Sequence, residues 1–156
     1  GGTGQSRLLA SRVVVDGSGA AGRVAAMYLV AAGVGTVIVD GALDTPVRDA
    51  RFPLARGDVG RTLADALARA LGGHNPDVRV VIAPTAAAAA AAAETETETE
   101  TETERNTGAE PAASSARAHR VIIDGDADDL PLGDAFARAG AAVSSLVHRL
   151  ATEAAP

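Results

Sequence analysis

The chain has 156 residues, 47% hydrophobic and 22% charged, with two Phe, one Tyr, no Trp and no Cys. Its 37 Ala and 17 Gly leave Val, Ile, Leu and Ala to build a core, and the length suits one domain. Without Cys there is no disulfide, no thiolate nucleophile, no thioester on this chain and no thiolate zinc site. All 14 basic residues are Arg, so chemistry that needs a Lys amine is excluded too.

The formal charge of −6 comes from one tract, Glu94, Glu96, Glu98, Glu100, Glu102 and Glu104, which alternates with Thr. The remainder is formally neutral and shows no basic stripe, so no nucleic-acid partner is expected. The longest uncharged stretch, Val24 to Val39, has 16 residues and two internal glycines. A membrane helix needs about 20 apolar residues, and no basic-then-apolar leader opens the sequence, so the expectation is a soluble, cytoplasmic chain with no membrane contact.

Residues 1–11 read as a polar, Gly-rich lead with at most one short helix. Val13-Val14-Val15, ending at Asp16, has the β-branched run of a buried strand. Ala20 to Ala32 carries helix formers, with Val24, Met27, Tyr28 and Ala31 on one side and Gly33 as a C-cap. Thr36 to Val39 is a second strand, ending at Asp40, and the three pieces make a βαβ unit. Residues 41–57 lack periodicity and form a loop. Asp58 is the expected N-cap of a helix in which Val59, Leu63, Leu67 and Leu71 recur every four residues, and Val78 to Ile82 is a third strand.

Residues 84–118 hold eight alanines, the Glu-Thr tract and a Gly, Pro, Ser and Ala tail, a composition expected to be disordered. A fourth strand, Val121 to Ile123, is followed by the acidic cluster Asp124 to Asp129. Helices are expected over Gly133–Ala139 and Ala142–Ala151. The sum is a Rossmann-like α/β fold: a doubly wound, mostly parallel sheet with helices on both faces, formed by residues 1–83 and 119–156 around the insert.

The strongest chemical signal is Gly17-Ser-Gly19-Ala-Ala-Gly22, a GxGxxG between a strand and a helix. The first glycine permits the tight turn, the second lets backbone N–H groups approach a phosphate, and the third lets helix and strand pack closely. The helix N-terminus then faces the anion, and Asp40, 18 residues after Gly22, stands where a carboxylate bonds a ribose hydroxyl. The histidines share no metal spacing: His74 falls in a turn, His119 in the tail of the insert and His148 on the last helix.

Residues Gly4 to Asp40 resemble the nucleotide-binding start of the ThiF/MoeB/HesA adenylyltransferases, relatives of ubiquitin-activating enzymes. The GQ-plus-leucines lead, the glycine turn and the phrase YLVAAGVGTVIVD carry the resemblance. Downstream, Asp58-Val-Gly-Arg61 and Gly73-His-Asn75-Pro76-Asp77-Val78 are similar to the family's "vGrpK … NPdv" segment. The resemblance implies ATP and Mg²⁺ as reactants; zinc is not expected, because the Cys-x-x-Cys motif that binds structural zinc in many relatives is absent. The resemblance also implies a small ubiquitin-like or sulfur-carrier protein whose C-terminal Gly carboxylate is adenylylated, and a homodimer in which Arg7 or Arg12 reaches the other subunit's ATP. Carried over residue by residue, Gly17, Gly19 and Gly22 match the phosphate loop, Asp40 the ribose acid and Arg51 the phosphate-contacting loop arginine. The magnesium-binding aspartate falls on Ala127, flanked by Asp126 and Asp128, either of which can ligand Mg²⁺ and serve catalysis. Several positions depart: the family's second acid is Ala42, its loop Asn is Arg48, its Gln is Phe52, and its Lys is Leu63, with Arg61 the nearest cation. These departures keep two alternatives open, a non-catalytic relative acting as scaffold or partner subunit, and a dinucleotide-binding oxidoreductase-type domain.

Overall fold

A computed structural model of the chain describes residues 2–84 and 118–153. Helix α1 (Gly2–Leu9) leads into β1 (Arg12–Asp16), α2 (Ala20–Ala32) and β2 (Thr36–Asp40). A 3-10 turn (Arg56–Asp58), α3 (Leu63–Leu71) and β3 (Arg79–Ile82) follow, then β4 (Ala118–Val121) and α4 (Leu132–Thr152). The low-complexity segment lies outside the described residues except at its two ends, Pro84 and Ala118, the latter already part of β4.

The four strands form one parallel sheet in the order β3-β2-β1-β4. Val13, Val14 and Val15 of β1 lie beside Val37, Ile38 and Val39 of β2, so the apolar runs become neighbours in the sheet centre. Side chains alternate across a strand. Val13, Val15, Val37 and Val39 therefore share one face, where they join the buried residues of α2, α3 and α4 in the main core. Val14 and Ile38 point the other way and form a smaller cluster with Ala83.

Helix α2 is the centre of the molecule. Ala21, Val24, Ala25, Ala26, Leu29 and Val30 are all fully buried, the methyl side chains letting neighbours close in, and Gly33 ends the helix with its N–H returned to the carbonyls of Leu29 and Val30. Along α2 runs α4. The sequence predicts two helices there, broken near Gly140, but one helix of 21 residues forms. Its buried stripe Ala135, Ala139, Val143, Leu146 and Leu150 continues through Gly140, and this packing outweighs the cost of about 1 kcal/mol for a glycine inside a helix.

Two further expectations are corrected. The fourth strand lies three residues earlier than predicted, over Ala118–Val121, so His119 and Arg120 are strand residues paired with Val13 and Val14. Ile122, expected inside, is exposed. The N-cap of α3 is Thr62, whose hydroxyl accepts the Asp65 N–H at 3.2 Å, rather than Asp58. Asp58 is buried in the 3-10 turn, where its carboxylate accepts the Ala55 N–H at 2.7 Å and pairs with the Arg69 guanidinium of α3. The Val59 to Leu71 stripe accordingly begins at Leu63. Leu63, Leu67 and Leu71 are buried while Val59 is 50% exposed.

Leu67→Ala should lower unfolding free energy by roughly 2–5 kcal/mol, the usual cost of emptying a buried leucine site. Val59→Ala should change it by less than about 0.5 kcal/mol; urea melts followed by circular dichroism compare the two.

The hydrogen bond from Arg69 holds the Asp58 carboxyl below its ordinary value of 3.8, although burial pulls the other way. A carboxylate whose pKa is lower in the folded state stabilises the fold above its unfolded pKa, and that contribution fades as pH falls through the folded value. The stability gap between the parent chain and Asp58→Asn should therefore be constant from neutral pH down to about pH 4 and shrink below it. Urea melts taken between pH 7 and pH 2.5 read this directly.

Candidate functional site

Strand order places the site. The chain steps outward from β1 to β2 to β3, then returns to β4 on the opposite side of β1. In open parallel sheets, ligands bind outside the carboxyl ends of the strands where the order reverses, here between β1 and β4. A cavity of about 350 Å³ lies there, lined by Val15 and Asp16, by Ser18, Gly19 and Gly22 of the glycine turn, and by the segment from Arg120 to Asp128.

The turn is held from several directions. Asp16 ends β1, and its Oδ1 accepts both the Ser18 N–H at 2.8 Å and the Ser18 hydroxyl at 2.6 Å. The Gly17 N–H donates to the Asp40 carbonyl at 2.9 Å, tying the ends of β1 and β2. A Cβ on Gly22 would stand 1.8 Å from the Asp16 carbonyl oxygen, and one on Gly19 2.2 Å from Asp126 Oδ2. The third glycine thus serves close helix–strand packing, and the second leaves room for an anion against the helix end.

Among the described residues, that anion is the Asp126 carboxylate. Its two oxygens accept the N–H groups of Ala21 and Gly22, each at 2.8 Å, and the neighbouring Ala127 carbonyl accepts the Ala20 N–H at 3.0 Å. The first N–H groups of a helix have no intrahelical partner, and the helix dipole favours negative charge beside them. Asp128, on the same loop, pairs with Arg23 at 2.7 Å. Asp126 and Asp128 therefore do meet at the glycine turn, each engaged with a group of α2, and Asp128 remains 76% exposed.

Asp40 is 2% exposed and pairs with Arg120, which reaches over from β4. The hydrogen bond that Arg120 donates to Asp40 raises the Arg120 pKa above its ordinary value. Arg51 is set apart from the cavity lining, and its guanidinium donates to the Leu130 carbonyl at 3.0 Å, joining the loop after β2 to the loop after β4. Beside it Phe52 packs on Phe136, with ring centroids 5.3 Å apart. Leu63 is buried in the core at the start of α3. Arg7 donates to the Ala151 carbonyl and Arg12 is buried.

Two residues of the site escaped the sequence reading. Arg23 is 4% exposed and donates to the carbonyls of Gly17 at 3.3 Å and Ser18 at 3.0 Å, so it grips the turn from the helix side. The signal for it was present: a single charge in a helix otherwise made of Ala, Val, Leu, Met, Tyr and Gly must find partners when buried. Arg120 had no such signal, because its strand was placed one register block too late.

The donor set fits a phosphate: backbone N–H groups at a helix N-terminus, a glycine cradle that a Cβ would fill, and an arginine at the cavity wall. Among the described residues no three His, Cys, Asp or Glu side chains converge as a metal site, and no helix is long and apolar enough to cross a membrane.

Comparison with known proteins extends these observations. A profile of the ThiF family matches residues 1–108. The SAMP-activating enzyme E1 of Haloferax volcanii is 42% identical over 79 residues, which make up 49% of this chain and 29% of that protein. Among solved structures, Escherichia coli MccB in complex with ATP shares 24% identity at a TM-score of 0.46, covering 51% of this chain and 25% of that one. PaaA shares 29% identity at a TM-score of 0.44, covering 51% of this chain and 27% of that one. The chain thus spans less than a third of the length of these relatives. With a family profile matched over more than two thirds of its residues, and a parallel sheet that carries the glycine turn at its switch point, the chain belongs to the ThiF family.

Proposed function

We propose that this chain is the nucleotide-binding part of an ATP-dependent adenylyltransferase that activates the C-terminal glycine carboxylate of a small ubiquitin-like or sulfur-carrier protein. One observation carries the reading: the α2 N–H groups of Ala21 and Gly22 converge on an anion at the switch-point cavity. The 42% identity to a SAMP-activating enzyme E1 supports the choice of reaction within the family.

In this reading a carboxylate oxygen of the carrier attacks the α-phosphorus of ATP, an O–P bond forms, and the bond to the β-phosphate breaks to release pyrophosphate. Little covalent work falls to the protein, which must position the reactants and stabilise the charge. The glycine turn and the positive end of α2 hold phosphate oxygens, and Asp40, buried against Arg120 outside the cavity lining, is the carboxylate that the family pattern assigns to the ribose. Arg51 supplies a cation from the loop after β2. Mg²⁺ entering with the nucleotide would be held by the exposed Asp128 carboxylate, with Asp126 beside it, and would supply neutralisation of phosphate charge. The carrier protein and a second copy of the chain are the partners.

A second reading has a specific observation behind it. Leu63, where the family carries a phosphate-contacting Lys, is a core residue, and Arg51 is engaged with the Leu130 carbonyl. Both favour a relative that keeps the fold and acts as scaffold or partner subunit.

Calorimetric titration of the chain with ATP·Mg²⁺, with NAD as comparison, separates these readings. The adenylyltransferase reading expects micromolar ATP binding, no comparable NAD binding, and an affinity about tenfold lower in Arg51→Ala, the worth of one charge-assisted contact. Absence of ATP binding would leave the scaffold reading, and tighter NAD than ATP binding would move the chain toward dinucleotide chemistry.

A further inference from the structure

The loop between β4 and α4 crosses the glycine turn and is fastened to it at three points. Asp126 accepts from Ala21 and Gly22, the Ala127 carbonyl accepts from Ala20, and Asp128 pairs with the buried Arg23. Gly19, the N-cap residue of α2, offers no side chain, and no local side chain caps the helix. Ser, Thr, Asp or Asn at that position caps a helix with its own side chain, which Gly cannot do. Here the capping group comes instead from a half-buried residue more than 100 positions away, on a largely exposed loop that forms part of the cavity wall. Its two oxygens bridge two successive N–H groups in the manner of a phosphate, in space that exists only because Gly19 lacks a Cβ.

We propose that Asp126 holds the phosphate position of the glycine turn, so that a phosphate-bearing ligand binds only by displacing its carboxylate, while the Arg23–Asp128 pair keeps the loop tethered beside the site. This inference rests on the reading that the turn receives phosphates. Two anions cannot share the same pair of N–H groups, and a carboxylate anchored on the same chain competes at high effective concentration. Apparent ligand affinity then falls by the fraction of molecules in which the position is open. The Arg23 tether acts on a different part of the turn, the carbonyls of Gly17 and Ser18, and shares no donor or acceptor with the Asp126 carboxylate. Asp126 is thus a built-in competitor and Arg23 a positioning residue.

The test titrates the ¹⁵N-labelled chain with inorganic tripolyphosphate and with ATP, and repeats both by calorimetry on Asp126→Asn and Asp126→Ser. Asp77→Asn, an exposed acid remote from the cavity lining, controls for net charge. Tripolyphosphate should shift the Ala21 and Gly22 amide signals, and Asp126→Asn should bind it about tenfold or more tightly than the parent chain, with Asp77→Asn unchanged. Equal or weaker binding by Asp126→Asn, beside measurable ATP binding by the parent, would make Asp126 a plain cap and overturn the proposal while leaving the adenylyltransferase reading intact. Tighter tripolyphosphate binding by the variant, with adenosine adding nothing, would uphold the proposal and remove the ATP reading. No binding by any chain would remove both. Should neither variant fold, the parent decides alone: Ala21 and Gly22 signals that move together with the Asp126 carboxyl carbon support displacement, and signals that stay still refute it.

Discussion

The contact on which the site depends is the approach of α2 to the end of β1. The backbone of Gly22 lies so near the Asp16 carbonyl that a single methyl group would stand 1.8 Å from the oxygen. That closeness seats the first turn of α2 directly above the strand ends, and it is what turns the N–H groups of Ala20, Ala21 and Gly22 toward the crevice between β1 and β4. Strand order then supplies the crevice itself, since only the return of the chain to the far side of β1 leaves a gap there. Lifting the helix by even one van der Waals radius would move the donors away from the cavity.

Charge distribution follows a consistent rule. Three ion pairs among the described residues each have one buried member and one exposed member: Arg23 with Asp128, Asp40 with Arg120, and Asp58 with Arg69. Burying both members of a pair carries a desolvation cost that can exceed their attraction. Here only one is withdrawn from water, and the exposed partner retains much of its hydration. Each pair also fastens a different piece to the centre: the loop after β4, the β4 strand, and the turn before α3. In a chain with only three aromatic residues, these polar ties supply positioning that large side chains would otherwise give.

Much of this was legible in the sequence, for reasons that differ by element. The β1-α2-β2 unit could be read because three signals coincide in it: β-branched runs, glycine punctuation and helix formers in the right order. The α4 helix was read as two because Gly140 looks like a break in one dimension, whereas the stripe that carries the helix through it is a three-dimensional property of α2 as neighbour. Asp58 was read as a cap because local sequence cannot announce a partner 11 residues away on the next helix. The β4 strand was misplaced because Val121-Ile122-Ile123 is its most apolar run, yet the parallel register with β1 selects Ala118 to Val121. The same blindness to tertiary pairing hid Arg120, whereas Arg23 is legible as the single charge of an otherwise apolar helix.

The departure at Leu63 is intelligible in this frame. No Lys occurs anywhere in the chain, and the position resembling the family's Lys feeds the hydrophobic core beneath α3, so that helix presents no cation to the cavity from there. Positive potential at the turn arises elsewhere: from the N-terminal end of α2, from Arg23 behind the glycine carbonyls, and from the Arg120 guanidinium at the cavity wall. Arg23 is sunk in the helix and already divided between two carbonyls and Asp128, so it acts by holding the turn in shape. Arg120 is paired with Asp40 yet keeps an exposed face, which makes it, among the described residues, the side-chain cation of the cavity lining able to meet a ligand anion. The cation at the cavity wall thus stands on the strand across the switch point, balanced by Asp40 at the end of β2, while the loop that follows β4 supplies the carboxylate that balances Arg23.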